Sequence, residues 1–525
     1  MSSARIHAGL DGAPDSVDLV VVGLGVTGAG VALDAASRGL RVLAVDAHDV
    51  AFGTSRWSSK LVHGGLRYLA SLQVGIAHES AVERGILMER TAPHLTRPLP
   101  WLMPLTGSVS RWQATVATAG IAAGDLLRVG ARTSRDTLPG PRRVTRTEAL
   151  RLAPGLRVSG LRGGLVNWDG QLEDDARLVT CIARTAASYG ARVRTRVRVL
   201  AATGTSVRLR DELTGETRTV TTRGVVNAAG VWSGDLVDEI RLRPSRGTHV
   251  VLRDEAIPGL QAALTVPVPG STSRFVFALP QPDGRIYLGL TDEPADGEIP
   301  DVPQPTEGEI GFLLDVAGAA LQRPPHRSDV VGAFAGLRPL LEAEGSTADL
   351  SRKHAVLTSR SGVVTVVGGK LTTYRRMAED AVDATGLTAG RCATRDLPLL
   401  GAAPRTVLAT LGEPARLVRR FGTEARTVLE VATATSGLTG EELLLPGPGG
   451  VTLAELVFGV THEGALDVDD LLDRRTRLGL VPEDRAAAVP LAERASALAT
   501  AALDRLPAQD RRGPPSPGCA TSRLR

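Results

Sequence analysis

Residues 17–46 read VDLVVVGLGVTGAGVALDAASRGLRVLAVD, and this stretch decides how the rest of the chain is read. Val17 to Val22 is a short, β-branched apolar run. It breaks at Gly23-Leu24-Gly25, continues with helical spacing from Val26 to Arg38, and ends in a second apolar run closing at Asp46. The order is strand, glycine turn, helix, strand. Gly23 permits the tight turn, Gly25 lets a pyrophosphate approach the backbone, and Gly28 and Gly30 let the helix lie close to the sheet. Free N–H groups and the positive dipole end at the helix N-terminus suit phosphates, and Asp46 is placed to accept hydrogen bonds from a ribose. The stretch therefore predicts a dinucleotide site without saying which dinucleotide.

Bulk properties narrow the setting. The 525 residues suffice for two or three domains with their own cores. A formal charge of +4 is small for this length, so nucleic acid is not indicated. Cys181, Cys392 and Cys519 are odd in number and far apart, which fits a reducing compartment and offers neither a disulfide framework nor metal spacing. Residues 1–16 read as a disordered lead-in and 508–525 as a disordered tail. No run approaches the roughly 18 apolar residues of a membrane span. Of 61 basic residues only Lys60, Lys353 and Lys370 are lysine, so a lysine here marks a place where a compact ammonium is wanted rather than a planar fork.

Residues 51–70, AFGTSRWSSKLVHGGLRYLA, gather hydroxyls (Ser58, Ser59), Lys60, the Gly64-Gly65 pair and aromatics in a chain that is only 3% aromatic. Such a stretch suits the wrapping of a large cofactor. The VVNAAGVWS segment at 225–233 is a strand running into a small-residue turn, and 366–379, VVGGKLTTYRRMAE, is a buried strand ending in Gly-Gly before Lys370 and a helix start. Together with GLRPL at 336–340 and SRKHAV at 351–356, these motifs resemble, in order and spacing over roughly residues 17–400, the FAD-dependent (aerobic-type) glycerol-3-phosphate dehydrogenase family.

That resemblance implies an α/β fold: a Rossmann-like FAD-binding domain of the D-amino-acid-oxidase/glutathione-reductase-like flavoprotein type, with an inserted, mostly antiparallel substrate domain and a C-terminal all-helical domain. The expected boundaries are 17–395 for the oxidoreductase domain, with the insertion at about 241–330, and 396–507 for the helical domain. The implied chemistry is hydride transfer from sn-glycerol 3-phosphate to FAD, giving dihydroxyacetone phosphate, with electrons passed to a quinone. The alternatives are a glycerol-3-phosphate oxidase and another FAD-dependent 2-hydroxyacid or amino-acid oxidoreductase of the same fold.

By resemblance, FAD contacts fall on Gly23, Gly25, Gly28, Asp46, Ser58, Ser59, Lys60, Gly64, Gly65, Ala229, Gly230 and Gly369. Substrate contacts fall on Arg67, Tyr68, Arg352, Lys370 and Thr372, and catalysis on His249 and Arg338. Of these two, His249 is the expected proton acceptor, since a free guanidinium loses its proton only at very high pH. No metal is expected, and monomer and homodimer are both open. The protein is expected in the cytoplasm, with a peripheral contact on the inner face of the membrane. Residues 99–131, with Trp101 and Trp112 near arginines, read either as that interfacial anchor or as a buried packing helix. The alternating RVRTRVRVL at 192–200 predicts one strand with a solvated arginine face.

Overall fold

The structure, a computed structural model, describes residues 4–65, 73–107, 109–271, 274–342, 353–387 and 390–505. The opening stretch folds as strand Leu19–Val22, helix Val26–Ser37 and strand Val42–Val45. These strands lie inside a seven-stranded sheet ordered His7–Ala8, Arg192–Thr195, Val42–Val45, Leu19–Val22, Val225–Asn227, Val364–Val367, Ala355–Thr358. Its pairings are parallel except for the last, which is antiparallel. Both faces are covered, which is why these strands are continuous apolar runs rather than alternating ones.

The chain leaves Leu19–Val22 toward one side of the sheet, and Val225–Asn227 joins from the other. The turns that follow these two strands therefore open into one crevice at the switch point, where α/β sheets bind ligands. The helix Val26–Ser37 packs between Asp175–Ser188 and Tyr374–Ala384. Gly30 allows this, since a Cβ there would come within 2.9 Å of the Tyr374 ring.

The second sheet has ten strands, mostly antiparallel, with helix Glu307–Gly318 on one face. Its segments come from well outside the expected insertion at 241–330: Leu61–Val62, Thr96–Pro104, Arg142–Val144 and Gly164–Leu172 join Ser245–Arg253 and the strands after it. This sheet is thus assembled from three passes of the chain. Thr96–Pro104 escapes a pattern search because Pro98, Pro100 and Pro104 lie within it, and proline demotes a strand reading.

Three further expectations change. Residues 4–16 are ordered: His7–Ala8 extends the parallel sheet, and Leu10 is fully buried with its N–H on Asp211. The arginine strand is two strands, broken at Arg196 (φ +57°), and its arginines are not a solvated face. Arg194 is buried, and Arg196 pairs with Asp470. Trp101 is a core residue of the sheet, edge-on to Phe277, while Trp112 lies 75% exposed on the helix Arg111–Gly130. The expected tail at 508–525 lies outside the described residues.

Helices from Arg405–Leu408 to Pro482–Arg505 form the C-terminal unit around their own apolar core. Buried arginine–carboxylate pairs tie it to the first domain: Arg177 to Glu463, Arg184 to Glu424, and Arg474 and Arg475 to Asp49. Removing one partner of such a pair strands a buried charge, at a cost of about 3–5 kcal/mol. Among the described residues, no helix is long and apolar enough to cross a membrane.

Candidate active site

A cavity of about 600 Å³ runs from the glycine turn to the antiparallel sheet. One wall is backbone. Gly23 has φ +96°, and a Cβ there would sit 2.7 Å from the Ala228 carbonyl oxygen, so the two turns of the switch point touch without side chains between them. A Cβ on Gly28 would overlap the Gly23 carbonyl oxygen. The helix start has a glycine, Gly25, at its N-cap and no acid in its first turn, and its Val26 N–H donates to Ser55 Oγ at 2.9 Å. Asp46 accepts from the Leu24 N–H at 2.7 Å and the His48 N–H at 2.8 Å, fixing the turn while lining the cavity. Burial nevertheless raises its carboxyl above the usual range. A helix N-terminus free of acids, glycine-lined turns and an acid at the next strand end fit the phosphates and ribose of FAD.

The opposite wall is built from side chains. His249, in strand Ser245–Arg253, stacks on Phe334 from the neighbouring strand with ring centroids 4.8 Å apart. Its Nε2 lies 2.8 Å from Ser59 Oγ, while Nδ1 is buried without a hydrogen-bond partner among the described residues. Burial, then Lys60 and Arg338, push this imidazole well below its ordinary pKa, so it is neutral. We assign the proton to Nε2, donating to Ser59, because an orphaned buried N–H is rarer than an orphaned acceptor. Arg338 reaches the cavity with one nitrogen on Ser245 Oγ and Asp292 Oδ1 (3.2 and 3.1 Å) and another on the Thr291 carbonyl (3.2 Å).

His63 is disposed differently. Its ring lines the cavity, 38% exposed, and stacks on Trp101. Nδ1 is held by Asp169, leaving Nε2 as the nitrogen available to a ligand. Asp169 is buried, accepts from the Gly64 N–H (3.0 Å) and Arg84 (2.8 Å), and is held down at about 2 by His63 and Arg84 against the opposing effect of burial. A carboxylate-oriented imidazole open to a cleft is the arrangement that general-base chemistry uses.

The expected residues divide clearly. Gly23, Gly25, Asp46, Ser58, Ser59, Gly65, Ala229, Gly230, His249, Arg338, Gly369 and Lys370 line the cavity. Lys370 donates to Ser80 Oγ at 2.8 Å. Gly28 works behind the turn, Gly64 packs against Arg84 beside Asp169, and buried Thr372 accepts from the His63 N–H at 3.1 Å.

Lys60 is placed behind the wall rather than on the cofactor side. It is 2% exposed, 3.2 Å from Asp175, and donates to the carbonyls of Arg56 (3.1 Å) and Ser58 (2.8 Å). Burial, then Arg477, lower its pKa to about 7. Arg67, Tyr68 and Arg352 lie outside the described residues. Residues not anticipated are His63, Asp169, Asp175 and Arg477. The first sits inside the SSKLVHGG motif, and both aspartates sit in NWDGQLEDD, where an acid-rich run beside a tryptophan was the available signal.

Comparison with known proteins bears on the family and the fold. Residues 18–375 match the family model described as FAD dependent oxidoreductase, and 392–504 match the C-terminal domain of alpha-glycerophosphate oxidase. The glycerol-3-phosphate dehydrogenase 1 of Mycobacterium tuberculosis is 53% identical over 94% of this chain and 98% of its own length. The glycerol-3-phosphate dehydrogenase 2 of the same organism is 38% identical over 89% and 82%. The crystal structure of the glycerol-3-phosphate dehydrogenase from Bacillus halodurans complexed with FAD superposes with a TM-score of 0.69 at 28% identity, covering 95% of this chain and 97% of that one.

Proposed function

This chain belongs to the FAD-dependent oxidoreductases, in the group of the glycerol-3-phosphate dehydrogenases, and we propose that it oxidises sn-glycerol 3-phosphate to dihydroxyacetone phosphate and passes the electrons to a quinone. FAD, when bound, supplies the hydride acceptor. Every other requirement falls on the chain: the hydroxyl proton needs an acceptor, the phosphate needs cations, and the reacting carbon must be held still.

His63 is the acceptor, and the observation that carries this is its open ring with Nδ1 held by Asp169. Taking the hydroxyl proton on Nε2 makes an imidazolium beside a carboxylate, which that carboxylate stabilises. This reassigns the role expected of His249, whose Nδ1 is sealed and whose Nε2 is engaged by Ser59. His249 instead orients the Ser59 hydroxyl, which is left able to donate to a substrate oxygen. Arg338 and Lys370, both on the cavity surface, are the cations assigned to the anion, with Arg67 and Arg352 as further candidates.

Anaerobic addition of sn-glycerol 3-phosphate to the yellow holoprotein tests the substrate. Bleaching by this compound, and by neither amino acids nor 2-hydroxyacids, is expected, and the reverse selectivity overturns the reading. The acceptor is tested by turnover with a short-chain quinone. Stoichiometric peroxide in air would favour the oxidase alternative, to which the match of the C-terminal domain gives some weight. The same reading places the protein at the inner face of the membrane through Trp112, Val116, Leu126 and Val129, exposed on the helix Arg111–Gly130.

A further inference from the structure

We propose that the C-terminal helical domain completes the active site: Arg477 is a positioning residue that holds the Ser58-Ser59 pair against His249 through the buried carboxylate of Asp175. The proposal deepens the function above and rests on its reading of the Ser59–His249 wall.

The connection is continuous. Arg477 Nη1 lies 3.0 Å from Asp175 Oδ1 and donates to the Arg56 carbonyl. Asp175 Oδ2 accepts from Ser58 N–H (3.0 Å) and Ser58 Oγ (2.7 Å), and Lys60 Nζ is 3.2 Å away. Lys60 also donates to the carbonyls of Arg56 and Ser58, and its amine lies 4.3 Å from the centre of the Phe334 ring on which His249 stacks. The backbone from Arg56 to Lys60 is thus clamped from behind by groups of two domains, and Ser59 Oγ meets His249 Nε2 on its front face.

Arg477 is a costly residue if stability is its only role. It is 5% exposed, its Nε and Nη2 have no hydrogen-bond partner among the described residues, and its backbone is left-handed at φ +66°. A buried guanidinium with unmet donors is commonly no better for stability than a well-packed apolar side chain, and a left-handed non-glycine residue adds a cost of its own. What the arginine provides that an apolar residue cannot is a fixed charge on Asp175, whose other partners set the position of the hydroxyl pair.

The test compares holoprotein variants Arg477→Met, Arg477→Lys and Arg253→Ala. Arg253 pairs with Asp484 at the same domain interface, away from the cavity, and serves as the control for interface loosening. Arg477→Met is expected to keep its flavin yet slow anaerobic flavin reduction at saturating substrate by about tenfold to a hundredfold, the scale of a small misplacement, with apparent substrate affinity little changed. Arg477→Lys should recover much of the rate, and Arg253→Ala should leave it intact. Wild-type reduction in Arg477→Met, or equal slowing in Arg253→Ala, overturns the proposal. A second readout needs no substrate: ring ¹⁵N NMR of the nine histidines. The His249 Nε2 resonance in Arg477→Met should move toward its position in Ser59→Ala, and an unmoved resonance overturns the proposal even if the substrate assignment is itself wrong.

Discussion

The two walls of the cavity are made in opposite ways. On one, turns at Gly23–Gly25, Ala228–Gly230 and Gly368–Gly369 present backbone, and what matters there is the absence of side chains. On the other, His63, His249, Ser59 and Arg338 present functional groups, each held by a partner distant in sequence. A backbone wall is set by the local conformational needs of neighbouring residues. A side-chain wall is set by pairings such as His63 with Asp169, 106 positions apart, or Arg477 with the Arg56 carbonyl, 421 apart. The first should fail by losing the cofactor, and the second by keeping the cofactor and losing the chemistry.

The largest effect expected is on the backbone wall. Gly28→Ala places a methyl onto the Gly23 carbonyl, so the purified variant should lack flavin absorbance altogether. A yellow, stoichiometrically loaded variant would break the contrast. On the other wall, Asp169→Asn should retain flavin and slow its reduction about a hundredfold or more, the scale of lost general-base assistance, as measured by stopped-flow bleaching.

Asp169 also sharpens the contrast through pH. Its carboxyl is lowered from 3.8 to about 2 in the fold, so its pairing stabilises the protein above the unfolded value and that contribution is lost as pH falls from about 4 toward 2. It amounts to roughly 2 kcal/mol, and acid unfolding of Asp169→Asn should lack that part of the slope. The smallest effect on either wall is expected from Trp112→Ser, which should leave flavin content and reduction unchanged while weakening flotation with anionic liposomes. Equal binding by the two proteins removes that helix as the membrane contact.

This division also explains what the sequence made legible. The dinucleotide fold was readable from thirty residues because its demands are local: a turn, a helix start, a terminal acid. Lys60 stood out through the scarcity of lysine, and the environment does need a compact amine, but periodicity and composition cannot tell which side of a strand a buried group serves. His63 was overlooked beside its glycine pair because nothing local distinguishes a cavity histidine from a core one. Its carboxylate lies in a strand that only the folded sheet brings alongside. Trp101 and Trp112 stay indistinguishable in the sequence because tryptophan near arginine looks alike in a core strand and on an exposed helix.

His63, oriented by Asp169, is the proposed acceptor of the substrate's hydroxyl proton in this FAD-dependent glycerol-3-phosphate dehydrogenase. Stopped-flow flavin bleaching by saturating sn-glycerol 3-phosphate without oxygen, in His63→Ala loaded with FAD, tests it most directly. A loaded enzyme reduced about a hundredfold or more slowly than wild type is expected; reduction at the wild-type rate would remove His63 as the proton acceptor.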